Sequence, residues 1–479
     1  MNELHASISD IFRQYENDAY MSSRVQNYIC NQLPGIFKSM ADNRALRIVR
    51  TEELTVEHDA FIHTFLCANR YFYMPQTETF FFYDGATYQP YSEDGVLHHI
   101  LTTITRDRSL MSWKYKTKVS VMKRIKEQYL LSSVPESDTI QSVILSLYPS
   151  VFLTKAEAKY FLTVVGDNIL KKKSHLFHLL PPYAKTFMRE LNVYSQTQIG
   201  SNTMNSFRLK YHEHDYANCR LIHMNETVKY ENIWSPLITV DLLCVACHYS
   251  SRFEHSDEFV IDSQDTALQS YVFYLKDTTL SQMMDAFMGE YLEPKQSASV
   301  SMSKMQYLWK HYLNSKKLPM IAFQTPLKTE LITKMSAHYN EDTDTFVGVF
   351  SRFLPVISEF LKFWDETMVE DDNETNLEID EVRALFSRRM GRNTALCDTQ
   401  IMDLLAHFYP NVIVENDKYI QEIRCSLWDK RRDIRNAMTE CHDASSDSDA
   451  YMFYCNYHKR NKIATPVVSK KYFVAQQYD

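Results

Sequence analysis

Glycine is the feature that most constrains this chain: it supplies 8 of 479 residues, and the nearest pair, Gly85 and Gly95, lie ten positions apart. Glycine takes positive φ without penalty and lets a backbone approach a phosphate closely. Dinucleotide loops of the GxGxxG type, a complete Walker A loop and the GxSxG elbow each need two or more glycines within about six residues. None of them can be built here. The rest of the composition is that of a folded chain, with 45% apolar and 13% aromatic residues, so large buried cores are expected. The length suggests about three domains at roughly 150 residues each. A formal charge of −8, from 52 basic and 60 acidic residues, excludes a generally basic nucleic-acid coat and leaves local basic patches.

The start, Met1 to Asp10, has no basic stretch leading into an apolar one, so no secretory signal is expected. No apolar run reaches the 18 or so residues of a spanning helix. Nine cysteines, an odd number spread over a long chain, fit reduced thiols better than a disulfide framework. The expectation is a soluble, intracellular protein without a membrane partner.

Hydrophobic spacing predicts an α+β chain that is predominantly helical. Residues 1–150 read as a helical region carrying an aromatic β-hairpin: Ile8, Ile11, Phe12 and Tyr15 recur at helical spacing, then Tyr71–Tyr73, Thr79–Tyr83 and, after Asp84-Gly85, Thr87-Tyr88 read as aromatic strands folded back through that turn. Ser92 is placed to cap the following helix. Residues 151–293 read as a central domain, α/β or helical, opened by the capping box of Thr154 and Glu157. The apolar run Tyr160–Val165 suits a buried strand or the end of that same helix. Pro294–Ser301 reads as a linker, because small polar residues cluster there. Residues 302–440 present helices through Phe353–Trp364, Ile379–Phe386 and Ile401–Phe408, then a hairpin from Val412 to Leu427 around Glu415-Asn-Asp417. That order is winged-helix-like. Residues 441–479 read as a loose segment and a basic-aromatic tail.

Four constellations bear on chemistry. Arg106, Arg108, Lys114, Lys116, Lys118, Lys123, Arg124 and Lys126 stand against one acid, Asp107, with Trp113 and Tyr115 between them. Cations for phosphates and rings for bases are what single-stranded nucleic-acid binding uses; a basic helix face over core aromatics is the competing reading. Gly166-Asp-Asn-Ile-Leu-Lys-Lys-Lys-Ser174 comes nearest to a phosphate loop, yet Lys171 occupies the second glycine position, where a side chain resists positive φ. The favoured reading of Gly166, Lys171 and Lys172 is a helix end with a basic turn, and the alternative is a degenerate ATP–Mg²⁺ loop. Cys244 and Cys247, with His212 and His214 upstream, satisfy the arithmetic of a Cys2His2 zinc site. Leu242, Leu243, Val245 and Ala246 around those thiols favour a packed helix instead. The c-type haem pattern of Cys244–His248 is set aside because no secretion signal is expected. Asp342-Thr-Asp344 lacks the apolar strand a paired-carboxylate metal site needs and reads as a solvated loop, and the seven carboxylates between Glu370 and Glu381 need no role beyond solubility. No cofactor is assigned.

The order of these pieces resembles the superfamily 3, poxvirus-type primase–helicases of nucleocytoplasmic large DNA viruses. Phe80-Phe-Phe-Tyr-Asp-Gly85 and its helix are similar to the segment before that family's ATPase. Phe353–Trp428, with Phe-Leu-Lys-Phe-Trp364, Leu-Glu-Ile-Asp380 and Lys-Tyr-Ile420, is similar to the domain after it, and Val468–Phe473 is similar to its tail. The resemblance implies a ring-forming ATP-driven helicase with Walker A and B motifs and an arginine finger. Residues 150–290 occupy the ATPase position without a complete Walker A loop, so no catalytic residue is carried over. What it implies here is a viral, non-catalytic DNA-replication-associated protein acting in the host cytoplasm or virus factory. It would bind single-stranded nucleic acid or a viral replication partner. A diverged NTPase and a zinc-stabilised virion or assembly protein are the alternatives. The winged module's third helix, Asp398–Phe408, carries Asp398 and Asp403 and no Lys or Arg, which suits protein docking better than a DNA groove.

Overall fold

A computed structural model describes residues 1–212, 214–229, 237–371, 377–391, 396–441, 447–463 and 465–476. It is about 63% helical with small sheets, a predominantly helical α+β chain. No helix among the described residues is long and apolar enough to cross a membrane. The chain divides into two compact units, Met1–Lys210 with Asn218–Tyr274, and Tyr211–Ala217 with Leu275–Asp479.

The first unit opens with α1 (Asn2–Gln14), α2 (Ala19–Asn27), one π-type turn (Tyr28–Gln32) and the 36-residue α3 (Leu33–Ala68). A three-stranded antiparallel meander follows: β1 (Arg70–Met74), β2 (Thr79–Tyr83) and β3 (Tyr88–Tyr91), in register Arg70↔Tyr83 and Phe81↔Pro90. Asp84-Gly85 turns β2 into β3, where the spacing placed that turn. The Asp84 carboxylate accepts from the amides of Ala86 and Thr87 at 2.7 and 2.8 Å, an Asx turn. Ser92 caps α4 (Glu93–Asp107) by accepting from Gly95 N at 3.0 Å. α4 and α5 (Lys114–Glu127) cover one face of the meander through Val96, Ile100, Ile104, Val121 and Ile125, packed with Phe61, Phe65, Tyr71 and Phe80.

The larger cluster joins the meander's other residues, Met74, Phe81 and Tyr83, to α6 (Ser137–Leu147), α7 (Lys155–Ile169) and residues up to Phe273, so the apolar core runs unbroken across position 150. Thr154 and Glu157 form the capping box of α7. The run Tyr160–Val165 is the buried middle of that helix. A short parallel sheet follows, with β4 (Phe177–Leu179) central between β5 (Phe207–Arg208) and β6 (Cys219–Leu221), and α8 (Lys185–Ile199) crossing from β4 to β5. α9 (Val240–Ser250), almost wholly buried, packs across α7, and α10 (Ser256–Asp262) and α11 (Thr266–Val272) close the unit.

In the second unit Thr279 and Gln282 form the capping box of α12 (Leu280–Tyr291). The expected linker is instead β7 (Glu293–Ser301), paired antiparallel with β9 (Thr345–Phe350), which also pairs with β8 (Tyr339–Asn340). β7 is an edge strand with most of its residues exposed, and Pro294 is tolerated near its start. Edge strands carry polar residues for solubility, which is why its composition reads as a loop. α13 (Met302–Ser315) and α14 (Thr325–Lys334) sit between these strands in sequence. Asp342–Asp344 lies between β8 and β9, where Asp344 accepts from Tyr339 Oη at 2.7 Å and Lys328 Nζ at 3.0 Å.

The three expected helices are α15 (Leu354–Thr367), α16 (Ile379–Met390) and α17 (Asp398–Phe408). β10 (Met368–Glu370) and β11 (Leu377–Glu378) lie between the first two. β12 (Val414–Glu415) and β13 (Tyr419–Ile420) form the hairpin, in a sheet ordered β11–β13–β12. The hairpin is shorter than its spacing suggested: Glu422 takes φ 58°, and β14 (Ile423–Cys425) pairs with β10 instead. Part of the acidic run, 372–376, and most of the polar segment 442–449 fall outside the described residues. α18 (Lys430–Met438), α19 (Asp447–Arg460) and α20 (Lys470–Ala475) complete the unit. The tail is held inward by Asp433 Oδ2, which receives Trp428 Nε1, Tyr454 Oη and Thr465 Oγ1 at 3.1–3.4 Å, with His458 Nε2 at 3.0 Å.

Candidate functional site

The basic-aromatic segment occupies the end of α4, the turn after it and α5. Arg108 ends α4 at φ 64°, and Leu110 anchors the turn in the core. Thr117, Val121, Met122 and Ile125 give α5 its buried stripe; helical spacing turns Lys116, Lys123 and Lys126 away from it, while Lys114 and Lys118 lie half-buried along its side. Tyr115 is 75% exposed. Lys116 Nζ lies 3.6 Å above the Trp113 ring and Lys118 Nζ 4.9 Å from the Tyr115 ring, both within cation–π range. Lys114 Nζ donates to Thr105 Oγ1 at 3.0 Å, drawing α5 to α4. Arg124 pairs with Glu127 at 3.4 Å and Lys126 with Glu93 at 3.5 Å. Among the described residues, Arg106, Arg108, Lys114, Lys116, Lys118 and Lys123 have no carboxylate within 4 Å. Of the two rings, Tyr115 is outside the core and Trp113 half covered, so the face combines open cations with one open ring.

The Gly166–Ser174 segment is built otherwise than a phosphate loop. Gly166 lies inside α7, where an added Cβ would come 2.1 Å from Ala246 O and 2.6 Å from Ser250 Cβ of α9. Its job is to let two helices touch. Lys171 adopts φ 54°, against the expectation that its side chain would resist it, and Lys172 N closes the turn onto Asp167 O at 3.0 Å. That is a Schellman-type helix end. Lys172 Nζ donates to the carbonyls of Ser250 and Phe253, each at 2.5 Å, and lies 3.2 Å from Asp167. The ammonium caps the C-terminus of α9, where helix carbonyls favour a cation.

Beside it is a cleft of about 400 Å³ lined by Asp167, Lys172, His175, His178, Ser206 and Arg208. Asp167 accepts from Ser250 Oγ at 2.6 Å and Ser256 N at 2.9 Å, and burial raises its pKa. His178 Nδ1 lies 2.9 Å from Ser206 Oγ and its Nε2 3.2 Å from Ser256 Oγ. This is the connectivity of a nucleophile, a base and an orienting group. Burial, however, drives the imidazole down to about 3, far below what an effective base near neutrality needs. The cleft also opens where β4, β5 and β6 begin, whereas parallel sheets bind ligands beyond the strands' carboxyl ends. Arg220 and Asp257, joined by bonds of 2.7–3.1 Å, complete a polar core that ties β6 to α10. Sequence reading missed His178, Ser206, Ser256 and Asp257 because their partners lie 28 to 78 residues away.

Cys244 and Cys247 are fully buried in α9, and desolvation raises both thiols, Cys247 to about 12. Such thiols are poor metal ligands and nucleophiles at neutral pH. His212 and His214 belong to the segment 211–217, grouped with the other unit; Glu213 is outside the described residues. No group of three or more His, Cys, Asp or Glu gathers around a common point among the described residues. In the second unit, α17 is held by α13: His407 Nε2 lies 3.0 Å from Ser303 O, Tyr307 packs on Phe408, and Lys310 Nζ lies 3.6 Å from Asp403.

No protein-family model matches the chain, and no curated protein or solved structure does so.

Proposed function

We propose that the chain is a non-catalytic, viral replication-associated protein that binds single-stranded nucleic acid along the α4–α5 face. The observation that carries this reading is the exposed Tyr115 ring beside six cations that have no carboxylate within 4 Å among the described residues. Cations neutralise phosphates and release counterions, and an open ring stacks on any base. The engagement of Lys172 by α9 carbonyls supports gripping over ATP turnover. Helix α15, strand β11, helices α16 and α17 and the β12–β13 hairpin follow a winged-helix-like order. We read this module as a protein-docking unit, since α17 is acidic and packed by α13.

The test is fluorescence anisotropy with a labelled oligo-dT of about 20 nucleotides. Six phosphate contacts predict a slope near −4 for log K against log salt, at about −0.7 per contact. Changing Lys114, Lys116, Lys118 and Lys123 together to Glu should weaken binding at least tenfold, and Tyr115→Ala by roughly fivefold or more. Unchanged affinity in the quadruple variant refutes the assignment. ATP turnover abolished by Lys172→Ala would favour the diverged NTPase instead.

A further inference from the structure

Nothing in the first 57 residues is buried. α2, the π-type turn and α3 run on as one rod from Ala19 to Ala68, about 75 Å long at 1.5 Å per residue. The half-buried positions, Ile8, Phe12 and Tyr15 on α1 and Met21, Val25, Ile29 and Leu33 on the rod, fall on one stripe of each, the pattern of a helical hairpin. Below it the shaft is bare. Phe37 and Met40 are 59% and 61% exposed, and Ile36, Leu46, Ile48 and Val49 are exposed too. Positions 33, 37, 40, 44, 47, 51, 54, 58, 61 and 65 keep a 3.5-residue repeat, the spacing of a coiled-coil seam. Its lower end, Leu54, His58, Phe61 and Phe65, lies in or against the unit's own core. Its upper end carries Phe37 and Met40 into solvent, and Arg44, Arg47 and Thr51 occupy the seam between the two apolar stretches.

Charge decides the occupant. Residues 1–18 hold Glu3, Asp10, Glu16 and Asp18 against Arg13, a side-chain charge of 1 − 4 = −3. Residues 38–50 hold Lys38, Arg44, Arg47 and Arg50 against Asp42, 4 − 1 = +3. The arm is complementary to itself only when reversed. A parallel pair would set Arg44 on Arg44 and Arg47 on Arg47 in the seam. An antiparallel pair with its two-fold axis between Lys38 and Ser39 sets Phe37 of one copy opposite Met40 of the other, Leu33 opposite Arg44 and Cys30 opposite Arg47. The acidic α1 then lies beside the other copy's arginines. A two-fold contact of this kind uses one patch twice. We infer that the N-terminal arm joins two copies of this chain antiparallel through the seam around Phe37 and Met40.

The test measures the mass of the full chain by light scattering after size exclusion at about 10 µM. The expected mass is twice 56.5 kDa. Phe37→Asp with Met40→Asp should shift it to a single chain and weaken association at least tenfold. Both side chains are exposed on the single chain, so its circular dichroism should stay unchanged. For orientation, Cys67 and Cys397, both exposed, are replaced by Ser and Arg47→Cys is introduced. Mild oxidation should then join Cys30 of one copy to the new thiol of the other. A single-chain mass in the wild type, a dimer persisting in the double variant, a Cys30–Cys30 link, or a dimer forming only with added oligonucleotide would each overturn the inference.

Discussion

Replacing Gly166 by Ala gives a stability change whose sign separates two roles for the same residue. In a helix, Gly→Ala ordinarily stabilises by about 1 kcal/mol. At Gly166 the new methyl would lie 2.1 Å from the Ala246 carbonyl oxygen and 2.6 Å from Ser250 Cβ. Relief to an ordinary contact requires α7 and α9 to part by about 1 Å, and the nearest obstacle is backbone, which does not swing aside. A gap of that size forfeits roughly a quarter to a half of each dispersion contact across the seam, and overpacking of this kind costs about 1–3 kcal/mol or more. Both helices are almost wholly buried at this crossing, so the upper part of that range applies. After the propensity gain, the expected loss is about 1–2 kcal/mol, a fall in Tm of about 2–5 °C at this size. Gly289 in α12 provides the control, because nothing lies within 4 Å of its missing Cβ; Gly289→Ala should raise stability by about 0.5–1 kcal/mol. Thermal and urea unfolding of the two variants decide it. A Gly166→Ala chain as stable as the parent would mean that α7 and α9 do not meet here.

Two more outcomes follow from the buried ionisable groups. His178 titrates near 3 in the folded chain against an ordinary 6.5. Between those values the unfolded chain holds the extra proton, so stability rises with pH in that window, by up to about 1.4 kcal/mol per unit. Urea midpoints measured from pH 4 to 7 should show that slope, and His178→Gln should remove it; an unchanged slope assigns it to other groups. In the second unit, Lys430 Nζ lies 2.5 Å from Glu381 Oε2, both side chains about 5% exposed. Lys430→Met leaves that buried carboxylate without its counter-charge, held by the Glu378 amide at 2.9 Å, and should cost about 3 kcal/mol, and adding Glu381→Met should recover much of it. Equal loss in single and double variants would count against the pair.

Local chemistry was legible and distant chemistry was not. The capping boxes at Thr154 and Thr279 and the Ser92 cap sit where their residues predict, because a cap is satisfied within three positions. The apolar stripes of α15, α16 and α17 were readable for the same reason. β7 was not, since an edge strand shares its polar composition with a loop and only pairing with β9 distinguishes them. The break at Glu422 was hidden too: β14 leaves the hairpin for β10, more than fifty residues earlier. Gly166 shows the limit most clearly. Its neighbours favoured a helix end over a phosphate loop, but its reason for being glycine is a carbonyl eighty positions away in α9. On the α4–α5 face, composition found the cations and the rings; only the fold separates open Tyr115 from half-covered Trp113.

The Asp433 carboxylate has a consequence for how the chain can be cut. A single oxygen receives an indole, a phenol and a hydroxyl, two of them from beyond residue 450. Tyr454 and Phe473 are themselves fully buried. The final thirty residues therefore work as a keystone of the second unit, and shortening the chain ahead of Tyr451 would strip an anion of its donors and open a hollow at once. Expression boundaries belong after the last helix, and a nick between α18 and α19 should be tolerated only while the severed end stays seated.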